Sequence, residues 1–435
     1  MSNTSDTYKG NVVSAGYNGE ATLIIDDKGL TVSSLFSDFA AGFEDFLAIK
    51  AGDYTVDVIV EGGTICCSRM GQSGDWFATN LTKAYNRAVT RALKTKGECL
   101  FETRGSMAYE GIHIKGTVQV FEDAICLLPP KLEGRRLPFA FINGLKKENY
   151  ALTIHLTTGE SAVISMVGRD LDPLEKCIVE RVKAIRAKSG ELAESLCGEL
   201  GEADKAKAAN LFAEKIAVPL ERLAALPKLR EAVLKKIEGS DMGDTWRLLC
   251  ELCDGQKAAV GIWELPEEEV EKLKEKLLEK MQAEAEAAGS DGQGEGGGTE
   301  LSIELTPEQE EALRWMIWTA VPSKDGKVAV IEAAFPNEEV ATYVYRIPDS
   351  WETFLPVLNR AMEAIDFDRE LILLPEEKFD GSVGTGAELT EGFADKKMLI
   401  KRTPSLGVLR RCFDGRIVHR SLASWEKGLR GYLGG

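Results

Sequence analysis

The sequence predicts an α+β fold, with two repeated strand-rich units, each closed by a C-terminal helix, a helical middle segment and a C-terminal α+β domain. Segments 19–92 and 116–185 show the same pattern twice, and apolar and polar residues alternate in both, as in half-buried strands. From about residue 187 onward, apolar residues recur at helical spacing. Matching residues lie 96 or 97 positions apart: Tyr54 and Tyr150, Gly63 and Gly159, Gly71 and Gly168.

The first copy predicts two hairpins and a closing helix. "TLIID" and "LTVSS" flank a turn at 27–29, and "YTVDVIV" and "TICCSRM" flank Gly62 and Gly63. Alternation predicts that one strand places four side chains on a single apolar face: Tyr54, Val56, Val58 and Val60. One stripe of the closing helix is expected to face the sheet: Leu81, Tyr85, Ala88 and Ala92.

The second copy predicts the same arrangement. The alternating strand carries four apolar residues: Tyr150, Leu152, Ile154 and Leu156. Its helix is predicted to begin with Asp172 as the N-cap, Pro173 at the first helical position and Glu175 at the third. The inner face of this helix is expected to contain Leu174, Ile178 and Ile185. A small sheet covered by an amphipathic helix buries the apolar face of each.

The helical middle segment spans 187–288 and contains a predicted strand at 257–263. A long charged helix follows Pro266, with Val270, Leu273, Leu277 and Met281 as its apolar seam. We expect this seam to pack on a neighbouring domain, and a coiled-coil dimer is the alternative. The Gly-rich composition of 289–298 is typical of a flexible linker.

The C-terminal region predicts mixed structure. A helix carrying Leu313 and the residues from Trp315 to Trp318 comes first, followed by the strands "KVAVIEAAF" and "ATYVYRI". The later elements are a helix from Asp349 to about Ile365, a strand at 370–375, a helix at 404–412 and a last helix around 424–429. Segments 245–263 and 313–367 share a loose pattern, and we hypothesise that they form one interrupted domain. The predicted domains are 10–97, 98–188, 189–288, the linker 289–299, and 300–435.

Composition and charge indicate an ordinary globular protein. Of the 435 residues, 44% are hydrophobic and 28% charged, and the net charge of −17 disfavours non-specific contact with nucleic acid or anionic membranes. No apolar run approaches the roughly 20 residues of a membrane helix. "MSNTSDTYKG" lacks a signal-peptide pattern, so we expect a cytoplasmic protein. The nine cysteines show no disulfide framework and are expected to be reduced.

Motifs that carry chemistry are scarce. The three histidines, His113, His155 and His419, give little support for a histidine-based catalytic or metal site. Cys250 and Cys253 form a CxxC at the end of an apolar helix without a second ligand pair, which favours core packing over zinc or redox chemistry. The sequence has no phosphate-binding loop, dinucleotide fingerprint or nucleophile elbow. It therefore predicts no catalytic residue, cofactor or metal, and no enzymatic activity.

The C-terminal tail is basic. From Lys401 onward, eight Lys or Arg residues accompany two Asp or Glu residues, a local charge of +6. The candidate partner-binding residues are Arg410, Arg411, Arg416, Arg420 and Trp425. Arginines beside aromatic rings bind phosphates and stack on bases. Three alternatives stay open: ion pairs with the acidic surface of the same chain, a protein partner, or nucleic acid or another phosphate ligand.

The repeated unit resembles the pleckstrin-homology-like (PH-like) superfold. The resemblance covers about residues 10–188 and is carried by the hairpins "TLIIDDKGLTVSS" and "YTVDVIVEGGTICCSRM", the helix "NLTKAYNRAVTRAL" and their second-copy counterparts. It is most similar to tandem units in uncharacterised bacterial proteins and in the middle domains of acidic histone-chaperone subunits. Lipid-binding members carry Lys and Arg in the first hairpin loop, where this chain has "DDKG" at 26–29, so phosphoinositide binding is not expected.

The resemblance implies a scaffold that binds proteins or peptides. The leading prediction is therefore a non-enzymatic, cytoplasmic interaction protein that needs no cofactor and whose partner is another protein. The alternative is a factor that associates with nucleic acid or nucleoprotein through the basic tail.

Overall fold

The structure is a computed structural model that describes residues 5–35, 37–198, 200–289, 305–306, 310–311, 313–334, 341–374 and 392–434. It confirms the α+β class, with three antiparallel sheets and helices around them. The chain divides into two compact units, one formed by 1–185 with 356–410 and the other by 186–355 with 411–435. The predicted linker lies outside the described residues except for Gly289, which ends a helix.

The first repeat is a seven-stranded antiparallel sheet closed by a helix. Its strands are β1 (Asp6–Ser14), β2 (Tyr17–Ile25), β3 (Gly29–Ser33), β4 (Asp38–Gly42), β5 (Phe46–Ala51), β6 (Thr55–Val60) and β7 (Gly63–Ser68). They lie in the order β4-β3-β2-β1-β7-β6-β5. Helix α1 (Ser73–Ala92) follows, and both predicted hairpins, β2–β3 and β6–β7, are present.

The second repeat has the same order, β11-β10-β9-β8-β14-β13-β12. Its strands are β8 (Phe101–Tyr109), β9 (Ile112–Val120), β10 (Ala124–Leu128), β11 (Arg135–Pro138), β12 (Ile142–Glu148), β13 (Ala151–Leu156) and β14 (Ser161–Ser165). Helix α2 (Leu171–Cys197) follows and begins one residue before the predicted N-cap Asp172. A 3₁₀ turn at Gly168–Asp170 leads directly into it.

Backbone details recur in both repeats. A 3₁₀ turn precedes β5 at Phe43–Asp45 and β12 at Phe139–Phe141, and each of these strands has a register shift at its start. Left-handed backbone follows β7 at Arg69 and β14 at Met166, with φ of 56° and 59°. Such conformations are uncommon outside glycine, so their recurrence supports the duplication independently of side-chain similarity.

The cores of the repeats follow the predicted periodicity. The predicted stripe of α1 is fully buried: Leu81, Tyr85, Ala88 and Ala92. The inward residues of β6 and β13 are also buried: Val56, Val58, Leu152, Ile154 and Leu156. The prediction was wrong for Tyr54 and Tyr150, which are 89% and 90% exposed because each lies in the turn before its strand.

The two repeats are joined through backbone hydrogen bonds at the edge of the first sheet. The amide of Ile49 on β5 donates to the carbonyl of Pro130 at 2.9 Å, and the amide of Leu132 donates to the carbonyl of Leu47 at 2.9 Å. The segment between β10 and β11 therefore covers the edge strand β5. Covered edges are protected from pairing with other chains.

The remaining helices are α3 (Glu202–Leu211), α4 (Pro227–Glu238), α5 (Gly243–Leu252), α6 (Glu267–Gly289), α7 (Trp351–Ile365), α8 (Glu370–Leu373), α9 (Phe393–Arg402), α10 (Pro404–Cys412) and α11 (Leu422–Leu433). Along the seam predicted for α6, Val270 is buried and Leu273, Leu277 and Met281 are half-buried. The predicted strand at 370–375 is wrong, because 370–373 form α8. In the described part of the chain, the helices are too short or too polar to span a membrane.

A segment near the C-terminus packs on the repeats. On α9, the ammonium of Lys397 contacts Asp45 at 2.7 Å and Glu61 at 2.9 Å, and Lys401 also pairs with Glu61. On α7, Glu363 contacts Arg136 of the second repeat at 2.7 Å. Each repeat is thus held to this segment by its own ion pairs.

The second unit contains a six-stranded sheet in the order β15-β16-β17-β18-β19-β20. Its strands are β15 (Val218–Pro219), β16 (Ala259–Glu264), β17 (Trp315–Pro322), β18 (Val328–Ala334), β19 (Ala341–Arg346) and β20 (Phe413–Val418). Strand β16 pairs with β17 from Ala259–Ala320 to Glu264–Trp315, so strands from 245–263 and 313–367 lie in one sheet, although residues 356–367 belong to the first unit. The predicted helix through 315–318 is wrong, since these residues begin β17. A central strand buried on both faces has a continuous apolar run that resembles a buried helix.

Candidate binding cleft

An open cleft of about 500 Å³ lies where the two repeats meet, and we name it the inter-repeat cleft. Its floor is the β8–β9 hairpin of the second repeat, and α1 and β5 of the first repeat form its walls. The lining residues are Ile49, Ala51, Ala78, Thr79, Thr82, Arg104, Gly105, Ser106, Lys115, Gly116, Thr117, Leu128, Pro130 and Met166. The cleft requires both repeats, because each contributes part of the lining.

The charged lining residues of the cleft are both cations. Arg104 on β8 and Lys115 on β9 are exposed, and neither has an ion pair among the residues that the structure describes. Hydroxyl groups of Thr79, Ser106 and Thr117 add further polar atoms to the lining. A positive floor in a chain of net charge −17 favours an anionic ligand.

Two glycines bring the floor close to its supporting strands. Gly105 and Gly116 are cross-strand partners on β8 and β9. A Cβ on Gly105 would lie 2.6 Å from the carbonyl oxygen of Ser165, and one on Gly116 would lie 2.6 Å from that of Leu128. Only a residue without a side chain allows such close approaches. The approaches fix the position of the hairpin that carries Arg104 and Lys115.

Large apolar side chains are exposed at the cleft. Met166 lines it and is 71% exposed. Trp76 is 69% exposed and lies on α1 three residues before Thr79, which places the two on neighbouring positions of one helix face. Trp76 itself does not line the cleft, but exposed Met beside Arg, as at Met166 and Arg104, is characteristic of protein interfaces.

The five residues predicted in the basic tail do not form one surface. Arg410 belongs to the first unit and donates hydrogen bonds to the carbonyls of Leu371 and Leu374 at the end of α8. Trp425 is fully buried in the second unit, where its indole Nε1 donates to Thr342 Oγ1 at 2.6 Å.

The other three tail arginines remain exposed. The guanidinium carbon of Arg416 lies 5.9 Å from the ring centroid of Tyr343, while Arg411 and Arg420 are exposed. A partner-binding role for the cluster stays a prediction. Elsewhere in the basic tail, the pairing of Lys401 with Glu61 shows that it does contact acidic groups of the same chain.

The CxxC cysteines pack as the sequence predicts. Cys253 is buried and Cys250 is half-buried at the end of α5. Burial raises the pKa of Cys250 to about 11 and that of Cys253 to about 12, so both are protonated thiols at neutral pH. In the described ranges, no group of three or more His, Cys, Asp or Glu is placed to hold a metal ion.

The second unit contains a buried polar network that the sequence did not predict. Glu332 on β18 is fully buried, and its carboxylate accepts hydrogen bonds from Thr245 at 2.8 Å and Thr342 at 2.7 Å. His419 Nε2 lies 3.1 Å from the same carboxylate. These partners satisfy the hydrogen-bonding capacity of a buried carboxyl group, so the geometry explains the network as structural. A lone Glu within the apolar strand "VAVIEAA" was the available signal.

No family model matches the chain, and no curated protein matches it. Among solved structures, the C-terminal domain of an unknown protein from Leishmania infantum is 16% identical, with a TM-score of 0.17, over 19% of this chain and 82% of that one. The Spt16D–Pob3N heterodimer is 10% identical, with a TM-score of 0.17, over 36% of this chain and 85% of that one. Both scores are too low for either match to carry an argument about fold or function.

Proposed function

We propose that this chain is a non-enzymatic, cytoplasmic interaction protein that binds an acidic, partly apolar segment of another protein in the inter-repeat cleft. The observation that carries the proposal is the lining of that cleft. Arg104 and Lys115 supply positive charge that no described residue pairs with, and Met166 supplies exposed apolar surface beside them. Charge complementarity steers a partner and sets its orientation, and apolar anchors supply most of the affinity.

We further propose that both repeats have the PH-like fold. The support is the strand order, which is the same in both sheets, together with the helix that follows each sheet. The first hairpin loop carries Asp26 and Asp27 in the first repeat. This charge supports a binding mode that uses the cleft between the repeats rather than the loops that contact anionic lipids.

The state of the cysteines supports a reducing compartment. All nine are free thiols in the structure, and four of them are buried: Cys67, Cys126, Cys253 and Cys412. Disulfides are rare in the cytosol and common in secreted proteins of small size.

The proposal is tested with a fluorescein-labelled peptide in which glutamate alternates with leucine, measured by fluorescence anisotropy. We expect the full chain to bind it more tightly than a counterpart with glutamine at every glutamate position. Arg104→Glu/Lys115→Glu should weaken binding at least about tenfold, because it reverses the charge of the cleft floor. Added salt should weaken the wild-type complex, since the cations are exposed.

The control variant is Lys9→Glu/Arg69→Glu in the first repeat. Lys9 occupies the position on β1 that Arg104 occupies on β8. Arg69 follows β7 as Met166 follows β14. Neither Lys9 nor Arg69 lines the cleft. It makes the same change in net charge and should leave binding intact. Equal binding of the acidic and glutamine peptides, or equal loss in both variants, would contradict the proposal. Tighter binding of a single-stranded oligonucleotide would favour the nucleic-acid alternative instead.

A further inference from the structure

A second, smaller cavity lies beside the edge strand β11 of the second repeat, within the first unit. Its volume is about 30 Å³, and four arginines line it: Arg135, Arg136, Arg360 and Arg402. Since roughly 10–15 Å³ admits one water-sized sphere, the cavity has room for the oxygens of one small group. The lining also contains Glu110 and Glu160, so arginines outnumber carboxylates there.

The main observation concerns Arg402, at the end of α9. It is 1% exposed, and its Nη2 donates a hydrogen bond to the hydroxyl of Tyr85. Its Nε and Nη1 atoms are buried and have no hydrogen-bond partner among the residues that the structure describes. Burying a charged group without partners is strongly unfavourable, so the two N–H groups indicate a missing acceptor.

Arg360 on α7 adds a second poorly satisfied cation. Its Nη2 donates to the carbonyl oxygen of Arg136 at 3.0 Å, and its guanidinium carbon lies 5.1 Å from the ring centroid of Phe141. Its Nε is buried without a partner in the described part of the chain. Burial lowers the pKa of Arg360, and the charge of Arg136 adds to this, while the carboxylates of Glu363, Glu160 and Glu110 oppose it.

The other two arginines have ion pairs, although the Nε atom of each is also buried without a hydrogen-bond partner among the described residues. Arg136 contacts Asp123 at 2.6 Å and Glu363 at 2.7 Å, and Arg135 lies 3.4 Å from Glu110. Of the charged groups that line the cavity, Arg360, Arg402 and Glu160 have no ion pair among the described residues. With Asp123 and Glu363 counted beside Arg136, the charges at and around the cavity balance, so the two buried N–H donors of Arg402, rather than a net charge, indicate the acceptor.

We propose that this cavity binds one oxyanion group, a carboxylate or a phosphoryl group, held by the guanidinium groups of Arg402 and Arg360. Guanidinium forks match the geometry of carboxylate and phosphate oxygens and form charge-assisted hydrogen bonds with them. The site is independent of the inter-repeat cleft, and its residues do not line the cleft. It would couple the second repeat to α9 and α7 through the bound anion.

The test is thermal unfolding of the full chain in increasing sodium acetate or inorganic phosphate, with sodium chloride keeping the ionic strength constant. A ligand that binds only the native state raises the unfolding temperature. We expect a saturable rise with at least one of the two oxyanions, and the stronger of the two identifies carboxylate or phosphoryl chemistry. In Arg402→Met, the apparent affinity should fall at least about tenfold because the two unpartnered N–H donors are lost.

The matched control is Arg91→Met. Arg91 on α1 also contacts α9, through Asp395 at 3.0 Å, but it is exposed and does not line the cavity. It should keep the wild-type anion response.

If Arg402→Met does not fold, Arg360→Gln gives the second variant, with the same expected loss. The proposal would be overturned if oxyanions and chloride changed the unfolding temperature of the wild-type chain equally. Water alone would then fill the cavity. An unchanged response in Arg402→Met would also overturn it.

Discussion

The two repeats share a backbone and differ in their surfaces. Both have the same strand order, a 3₁₀ turn at 43–45 or 139–141, and left-handed backbone after the seventh strand. Gly10 and Gly105 both approach a carbonyl oxygen, that of Ser68 or Ser165. The shared positions therefore specify the fold, and the proposed binding depends on residues that the repeats do not share.

The cleft residues are the clearest difference. The positions of Arg104 and Lys115 in the second repeat correspond to Lys9 and Glu20 in the first, by their places on paired strands. The left-handed residue is Met166 in the second repeat and Arg69 in the first. Because this backbone conformation recurs, it is structural, and the side chains of Met166 and Lys115 are what distinguish the cleft from the first repeat.

The edge strands differ as well, and the difference sets how each repeat holds the C-terminal segment. Arg136 on β11 corresponds to Ala40 on β4, which is exposed. The second repeat thus uses a buried arginine with two carboxylates, whereas the first uses the half-exposed carboxylate of Glu61 with Lys397. Buried and exposed ion pairs respond very differently to mutation.

The largest expected effect is at this buried arginine. Arg136→Met would leave Asp123 and Glu363, both largely shielded from solvent, without their partner, at a cost of up to about 3–5 kcal/mol in the free energy of unfolding. The pKa of Arg136 also indicates a strong interaction with the two carboxylates. Burial lowers this pKa, but the carboxylates hold it above its ordinary value. Urea denaturation measures the loss.

Ala40→Met, at the corresponding position of the first repeat, is the control and should stay within about 0.5 kcal/mol of the wild type. The triple variant Arg136→Met/Asp123→Asn/Glu363→Gln should recover part of the loss, because no buried charge then lacks a partner. A triple variant no more stable than Arg136→Met would show that packing, not charge, dominates this edge.

An intermediate effect tests whether the repeats are structural copies. In Gly10→Ala, the new Cβ would lie 2.8 Å from the carbonyl oxygen of Ser68, and in Gly105→Ala it would lie 2.6 Å from that of Ser165. Each should cost about 1–3 kcal/mol, since the backbone must shift. Gly19→Ala is the control, because its nearest neighbour is the Tyr17 hydroxyl at 3.4 Å. Markedly unequal losses in urea unfolding would mean that one repeat tolerates a shift that the other does not.

Local periodicity was enough to predict much of the repeats. The hairpins and the inward stripe of α1 follow from neighbouring residues alone. The same reasoning failed for Trp315–Pro322, because an apolar run buried on both faces lacks the alternation that marks a strand. It also failed for Tyr54, since a residue that continues the alternation can still lie in a turn.

The candidate sites depend on long-range packing and could not be predicted. The hydroxyl of Tyr85 contacts Arg402 across 317 residues of sequence. The basic residues of the tail are close along the chain, but Arg410 is hydrogen-bonded to the end of α8 and Trp425 is buried in the second unit. Arg104 and Lys115 indicate a candidate site only because the fold places them beside α1 and β5, which the sequence did not predict.

The smallest expected effect is a pH dependence confined to the first repeat. Burial raises the pKa of Glu61, but hydrogen bonds from Lys401 and Lys397 outweigh this and hold it below its ordinary value. A carboxyl whose pKa is lower in the folded state stabilises the fold above its unfolded pKa of about 4.3 and loses that contribution as the pH falls further. Glu61→Gln should therefore be less stable than the wild type near pH 7, and the difference should shrink below about pH 4.5.

Because Glu61 is 37% exposed, solvent screening should keep this difference below about 1 kcal/mol. Urea denaturation between about pH 7 and pH 3 measures it. Glu20→Gln is the control, since Glu20 is exposed and has no ion pair among the described residues, and its curve should parallel the wild type. A constant difference for Glu61→Gln across this range would mean that its carboxyl does not act as a charge in holding α9. The two repeats would then differ less in how they hold the C-terminal segment than their ion pairs indicate.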